Sequence, residues 1–328
     1  MAQASARAIV ARRPGGPEVL EWAELPVEAP GPGEVLIRQE AIGLNFIDTY
    51  FRSGLYPWPD TVLVPGAEAA GTVVAVGDGV SGLEVGSRVA YLERVGAYRE
   101  MRAMPADRLI ALPDGISAEL AASVLLKGLT AQVLVLTAAP VQPNQTVLVH
   151  AAAGGVGLLL GQWIASLGAR VIGTVGSPEK AKLALAHGYD AVIEYRHEDV
   201  ATRVAELTDG RLCDTVFDAV GNDTWRGSLA SLRPHGRFVS FGQASGPIEG
   251  FRISDLAQGS KSAIRPVIFD YLTTPAERRE RSAVLFAKLL DGSLRTNPPA
   301  SSPLRLAADT HRALETRATT GSTILIPD

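Results

Sequence analysis

Residues 146–161 read Thr-Val-Leu-Val-His-Ala-Ala-Ala-Gly-Gly-Val-Gly-Leu-Leu-Leu-Gly: a β-branched run, a glycine turn and an apolar run in direct succession. A strand, a turn that bare backbone can tighten, and a buried helix satisfy that order. Arg170 to Val175 then supplies a second strand, so the segment is a βαβ unit. The alternation continues. A helix near Pro178 to His187 leads to strand Ala191 to Glu194 and helix 198 to 207. Strand Thr215 to Asp218, helix 223 to 232 and strand Gly236 to Ser240 follow. Strands alternating with helices imply a parallel, doubly wound sheet whose strands are apolar throughout, because helices cover both faces.

The chain before this has a different texture. Val35 to Arg38, Gly71 to Val76 and Ser87 to Tyr91 are short runs bounded by glycine or proline, which predicts a mostly β domain over residues 1 to 125. Ser117 stands as N-cap before a helix over Ala118 to Leu126. The doubly wound part occupies 126 to 267, and residues 268 to 328 carry a charged helix, Pro275 to Leu290, and a last strand, Thr323 to Pro327. That tail is expected to rejoin the first domain. A length of 328 residues suits this two-domain division, and no internal repeat or low-complexity linker interrupts it.

Composition excludes more than it selects. A net charge of −4 gives no general attraction to nucleic acid or anionic membrane, and neither is expected as a partner. The most apolar stretch, Ala151 to Ala169, is broken by Gly154, Gly155, Gly157, Gly161 and Gln162, so it reads as a soluble helix rather than a membrane span. The acid-free start, Met1 to Arg13, raises the possibility of a transit peptide. Arg7 to Ala11 running into Pro14-Gly-Gly-Pro17 reads instead as a first strand and turn, hence a cytoplasmic protein. The lone cysteine, Cys213, begins a strand and is read as structural rather than nucleophilic. His150 at a strand end is likewise read as structural, and His187, His197, His235 and His311 form no ligand cluster.

A glycine turn between strand and helix lets backbone approach a pyrophosphate, which helix N-terminal amides then stabilise. Gly154, Gly155 and Gly157 form a variant of the dinucleotide fingerprint. The plain structural alternative is that the glycines serve only close helix–sheet packing. An NAD enzyme usually carries Asp or Glu at the tip of the second strand, to bind the ribose 2′-hydroxyl. Here the tip reads Gly173-Thr-Val-Gly-Ser177 with Lys180 following, which favours a 2′-phosphate and therefore NADPH. Glu179 qualifies that reading, since a carboxylate there can also reach a ribose.

Several segments together resemble the zeta-crystallin-like quinone oxidoreductases: Gly15 to Leu20, Gly43-Leu-Asn45-Phe-Ile-Asp48-Thr-Tyr50, Arg52 to Pro57, Lys127-Gly-Leu-Thr130 and His150 through Gly157. The resemblance runs from near residue 8 to Pro327. It implies a Rossmann sheet inserted in a mostly β, GroES-like catalytic domain, with the active cleft between them. It also implies roles. Asn45 and Tyr56 would flank the nicotinamide, with Thr130 near the cofactor. Gly154, Gly155 and Val156 would meet the pyrophosphate, Ser177 and Lys180 the 2′-phosphate, and Tyr195 the adenosine. Phe241 and Gly242 would pass the nicotinamide, and Arg317 would contact a phosphate. Ala244 stands where some relatives carry a hydroxyl. For Asp48 a buried hydrogen-bond network is the preferred reading; for Asn45 and Tyr56 the functional one leads.

Zinc enzymes of this superfamily carry Gly-His-Glu where this chain has Gly66-Ala67-Glu68, and a cysteine near the position of Asn45. A catalytic zinc needs three protein ligands. Glu68 alone does not supply them, and no metal is expected. The chemistry then expected is NADPH-dependent reduction of electron-poor acceptors, with Asn45 or the Tyr56 hydroxyl bonding the acceptor oxygen as charge develops on it. Quinone reduction leads. An enone or alkenal reductase on the same scaffold is the nearest alternative, and a non-enzymatic NADPH-binding protein, crystallin-like or RNA-binding, is the other. A homodimer through the sheet edge at Ala263 to Phe269 is expected from the relatives.

Overall fold

The computed structural model describes residues 4–328; residues 1–3, the start of the segment weighed above as a transit peptide, lie outside the described residues. The chain forms two compact units: Met1–Leu126, Leu272–Leu290 and Asn297–Asp328 make the first, and Lys127–Tyr271 with Asp291–Thr296 the second.

In the first unit β1 (Ser5–Val10) pairs antiparallel with β2 (Glu21–Pro26). There follow β3 (Glu34–Gly43), α1 (Phe46–Arg52), β4 (Glu68–Val76), β5 (Arg88–Leu92), β6 (Met101–Pro105) and β7 (Ile110–Ala111). Along β3 Val35, Ile37 and Ala41 point inward, the period of two that one buried face requires. Val35 and Ile37 meet Val73, Val89, Tyr91 and Tyr98 in one core.

Next comes α2 (Ala118–Val133), extended by a π-turn over Leu134–Ala138. Ser117 caps it, its Oγ accepting the Leu120 N–H at 3.1 Å. The helix does not stop at Leu126, where the sequence reading ended it. It runs through Lys127-Gly-Leu-Thr130 because Leu129, Ala131 and Val133 are buried, which outweighs the cost of roughly 1 kcal/mol for the helical Gly128. Ala118–Ala138, not Ala151 to Ala169, is the helix whose length and composition match a membrane span, and 78% of that window is buried inside the protein, as in a core helix.

The second unit alternates strictly: β8 (Thr146–Val149), α3 (Gly155–Ser166), β9 (Arg170–Val175), α4 (Pro178–Leu185), β10 (Ala191–Glu194), α5 (Val200–Leu207), β11 (Cys213–Asp218), α6 (Trp225–Ala230), β12 (Leu232–Ser240) and β13 (Ser262–Ile264). All six strands are parallel, in the order β10-β9-β8-β11-β12-β13. The chain winds outward from β8 and then returns to its other side, so the switch point lies between β8 and β11, where doubly wound sheets bind ligands. Val147 to Val149 and Val216 to Phe217 are wholly buried, as two covered faces require. The edge strand is shorter than Ala263 to Phe269. It ends at Ile264, because Pro266 has no N–H and restricts the residue before it, and a 3₁₀ turn follows at Ile268–Tyr271.

The chain then forms α7 (Pro275–Leu290), β14 (Ala300–Pro303), α8 (Ala307–Glu315) and β15 (Thr323–Ile326). β15 pairs antiparallel with β3, Ile324 opposite Gly43 and Leu325 opposite Ile42, so the last strand belongs to the first unit, whereas Asp291–Thr296 belongs to the second. The resulting sheet has seven strands, ordered β14-β15-β3-β4-β5-β7 with β6 also on β3.

Candidate functional site

The glycine turn joins β8 to α3 at the switch point. Ala151 takes a left-handed φ of 55°, and its carbonyl accepts the Gly154 N–H at 2.9 Å. Gly154 is the N-cap of α3, at φ −80° and ψ 169°, so Gly155, Val156 and Gly157 form the first turn, whose N–H groups have no acceptor within the helix. The glycines divide by function. A Cβ on Gly157 would lie 2.4 Å from the Ala151 oxygen and 2.7 Å from that of Ala152, so this glycine is required for packing. On Gly154 the nearest atom would be 3.2 Å away, in an ordinary extended backbone. Packing therefore demands a glycine more strictly at Gly157 than at Gly154, where the Ala151 carbonyl would have to give by a few tenths of an ångström.

Behind the turn a buried network ties three strand ends. Asp218 accepts the N–H groups of Val220 (2.8 Å) and Gly221 (3.0 Å), the Thr224 hydroxyl, and the Ser228 hydroxyl at 2.7 Å. Ser228 thus has its proton on Asp218, and its oxygen accepts from His150 Nε2 at 3.0 Å, leaving Nδ1 to accept from Thr174 at 3.0 Å. Burial holds the His150 imidazole below its ordinary pKa, so it is neutral. Although Asp, His and Ser adjoin, the carboxylate holds the serine rather than the histidine and activates no nucleophile. His150 is structural.

At the tip of β9 the Ser177 Oγ caps α4, accepting the Lys180 N–H at 3.4 Å. Glu179 is exposed beside it. Its carboxyl is held below the usual range by its own backbone N–H first and by the Ser177 hydroxyl second. Tyr195, at the end of β10, lies over Gly176, with its Oη 2.7 Å from where a Cβ would stand, and Arg196 Nε is 3.6 Å from the same point. Ser177 and Tyr195 thus meet at Gly176, with Lys180 one turn into α4. Arg196, a cation at the tip of the neighbouring strand, lies beside the same point and is absent from the residues that the sequence singles out. A basic residue directly after Tyr195 was the available signal.

Phe241 and Gly242 follow β12. The Phe241 N–H reaches the Asp218 carbonyl at 2.9 Å, and a Cβ on Gly242 would lie 2.5 Å from the Ala219 oxygen. Arg265 fixes this end, donating to Ser240 Oγ and the Gly242 carbonyl, each at 3.0 Å. Thr130 is half-buried on α2.

In the first unit Asn45 is the N-cap of α1, and its backbone N–H donates to Asp48 Oδ2 at 2.8 Å. Its Nδ2 donates to Glu68 Oε1 at 2.8 Å, and Glu68 Oε2 accepts the Leu126 N–H at 2.6 Å. Tyr56 packs edge-on against Tyr50 and Phe51 of the same helix, with ring centroids 5.4 and 5.5 Å apart. Asp48 sits in a buried network, receiving the Tyr98 hydroxyl at 3.0 Å. Arg317, exposed at a left-handed φ of 59°, is on the turn after α8. At the positions where zinc relatives carry ligands, Ala67 has none to offer and both Glu68 oxygens accept N–H groups. Among the described residues no group of three or more His, Cys, Asp or Glu side chains is placed to hold a metal. Burial pushes the Cys213 thiol up to about 12, so it is protonated and inert at neutral pH.

A Rossmann unit with this turn and a GroES-like unit carrying a polar cluster are the parts of a medium-chain dehydrogenase/reductase. A family model described as an alcohol dehydrogenase GroES-like domain matches residues 31–114, and one described as a zinc-binding dehydrogenase matches 155–280. A Pseudomonas aeruginosa protein named quinone oxidoreductase is 49% identical over 315 residues, 95% of this chain and 97% of its own. A Burkholderia protein named 2-haloacrylate reductase is 41% identical, covering 98% of each chain. The crystal structure of Escherichia coli quinone oxidoreductase complexed with NADPH superposes with a TM-score of 0.95 at 43% identity, over 99% of this chain and 100% of that one. The chain belongs to the quinone oxidoreductase family of the medium-chain dehydrogenase/reductases.

Proposed function

We propose that this chain is an NADPH-dependent quinone oxidoreductase that works without zinc. The observation that carries the reading is the turn at the switch point of the sheet, where the N–H groups of Gly155, Val156 and Gly157 open a helix with no acceptor inside it. Gly154, Gly155 and Val156 hold the pyrophosphate there. Lys180, Ser177 and Tyr195 hold the 2′-phosphate and adenosine, Asn45 and Tyr56 flank the nicotinamide with Phe241 and Gly242 passing it, Thr130 lies near the cofactor, and Arg317 contacts a phosphate. What supports the fit is a set of helix-opening N–H groups without acceptors inside α3, and the Ser177 and Tyr195 hydroxyl groups on either side of Gly176, with Lys180 three residues on. When bound, NADPH supplies the reducing electrons. The protein's part is position and electrostatics. An amide has two N–H groups, and Glu68 takes one of Asn45's; the other, or the Tyr56 hydroxyl, donates to the acceptor oxygen as negative charge develops on it.

In this reading residues 1–125 with 268–328 make the catalytic domain and 126–267 the nucleotide domain. The protein is cytoplasmic, interacts with neither nucleic acid nor membrane, and forms a homodimer through the β13 edge. Stopped-flow oxidation of NADPH with 1,4-benzoquinone tests the activity. Acceleration is expected; no acceleration with any acceptor would favour a binding protein without enzymatic activity. The likeness to a 2-haloacrylate reductase supports the second reading, an enone reductase. A larger kcat/KM for 2-haloacrylate than for quinones would select it. Metal analysis is expected to find no stoichiometric zinc, and sedimentation a dimer at micromolar concentration.

A further inference from the structure

We infer that His311, on α8, is a positioning residue for Asn45, acting through Tyr98 and Asp48. The inference rests on the catalytic reading of Asn45 given above. Four side chains form a single line in which every proton has one possible direction. The Arg52 guanidinium has donors only, and its Nη1 lies 3.1 Å from His311 Nδ1, so Nδ1 accepts. The imidazole therefore carries its proton on Nε2, which lies 3.0 Å from the Tyr98 oxygen and donates to it. The Tyr98 hydroxyl in turn donates to Asp48 Oδ2 at 3.0 Å, the same oxygen that accepts the Asn45 backbone N–H at 2.8 Å. Arg52, His311, Tyr98 and Asp48 are each at least 98% buried, so water does not compete for these bonds. The outer end is tied down: Arg52 holds the Glu315 carboxylate with bonds of 2.6 and 3.1 Å and the Gly15 carbonyl at 3.0 Å.

The consequence falls on Asn45. Its extended backbone, at φ −140° and ψ 154°, is where the chain turns into α1, and the Asp48 carboxylate holds its N–H. Asp48 Oδ2 is aimed by the Tyr98 hydroxyl, and Tyr98 by a ring on the C-terminal helix. The line thus sets the backbone from which the Asn45 amide reaches Glu68. A network that merely stabilised the fold would give up stability when broken and leave turnover alone.

Tyr98→Phe separates the two, since it deletes one oxygen and keeps the edge-on ring contact with His311 at 5.7 Å. The control is Tyr91→Phe, which removes another buried hydroxyl from the same unit, one bonded to Gln39. Tyr98→Phe is expected to lower kcat with 1,4-benzoquinone about tenfold at unchanged KM for NADPH, and to speed amide hydrogen exchange over residues 45–48 about tenfold. Tyr91→Phe is expected to lower the melting temperature while leaving kcat and that exchange unchanged. His311→Gln breaks the line one link further out and is read in the same way if Tyr98→Phe does not fold. If Asn45→Ala lowers kcat but Tyr98→Phe changes neither kcat nor exchange at 45–48, the positioning role is overturned and the catalytic reading of Asn45 stands. If Asn45→Ala leaves kcat unchanged, both fall.

Discussion

Asn45 and Glu68 share a 2.8 Å hydrogen bond, amide Nδ2 to carboxylate Oε1, at a point where Glu68 is wholly buried. Gly43 lies beside this pair: a Cβ there would stand 2.3 Å from the same carboxylate oxygen. The backbone of β3 thus packs directly on the acid, and the acid pins the amide.

Glu68→Gln keeps the shape but turns an N–H toward one of two existing donors, Asn45 Nδ2 or the Leu126 N–H. A stability loss of about 1–3 kcal/mol is expected in urea unfolding, with a fall in kcat. Asn45→Ala is expected to reduce kcat up to about a hundredfold while the fold is retained, and Tyr56→Phe to reduce it less. Steady-state rates with a quinone check both. Unchanged kinetics in the two Asn45 and Tyr56 variants would leave these residues as scaffold.

Gly157→Ala and Gly154→Ala are expected to behave differently. The first drives a methyl group into the Ala151 and Ala152 carbonyls and is expected to destabilise the protein by roughly 1–3 kcal/mol or more. The second has an allowed backbone and one tight contact, 3.2 Å to the Ala151 carbonyl oxygen, so a smaller loss of melting temperature than in Gly157→Ala is expected while NADPH binding weakens. Thermal melts alongside a fluorescence titration decide. Retained NADPH affinity in Gly154→Ala would return that glycine to a packing role.

Lys180→Ala is expected to weaken NADPH about tenfold and NADH little, the low end for one charge-assisted hydrogen bond at a half-exposed site. Equal weakening of both would remove Lys180 from the 2′-phosphate. Glu179→Gln is expected to act the other way and tighten NADPH, because the Glu179 carboxylate engages the Ser177 hydroxyl.

Acid is expected to destabilise the fold through His311. Burial first, and Arg52 second, push its pKa down to about 3, whereas the unfolded chain titrates near 6.5. Below about pH 6.5 the unfolded state therefore takes up a proton that the folded state refuses. The stability this histidine contributes is full above that pH and is lost as pH falls toward 3, at up to about 1.4 kcal/mol per unit. The groups facing the ring are Arg52 and Tyr98, with Asp48 and Glu315 one bond further on. His150, also lowered by burial, adds in the same direction. Urea midpoints at pH 7.5, 6.5 and 5.5 measure the slope, and an equal slope in His311→Gln would clear His311 of it.

What the sequence alone determined is local. The period of two in β3, the glycines between β8 and α3, Ser117 as a cap and the unbroken apolar strands of the parallel sheet are properties of neighbouring residues. Side-chain alternation, bare backbone and capping act within a few positions of the chain, and spacing records them. The extent of α2 past Leu126 was not legible, because it follows from the burial of Leu129 and Val133, which outweighs the helical cost of Gly128. Glu68 was visible as a residue without zinc partners, but not as the acceptor for Asn45. His311 appeared as one of four scattered histidines, and only the fold carries it across 259 positions to Arg52 and sets its tautomer. Burial and hydrogen-bond direction depend on which distant atoms close packing brings together. No pattern of spacing encodes that, so those relationships were decided by the tertiary structure alone.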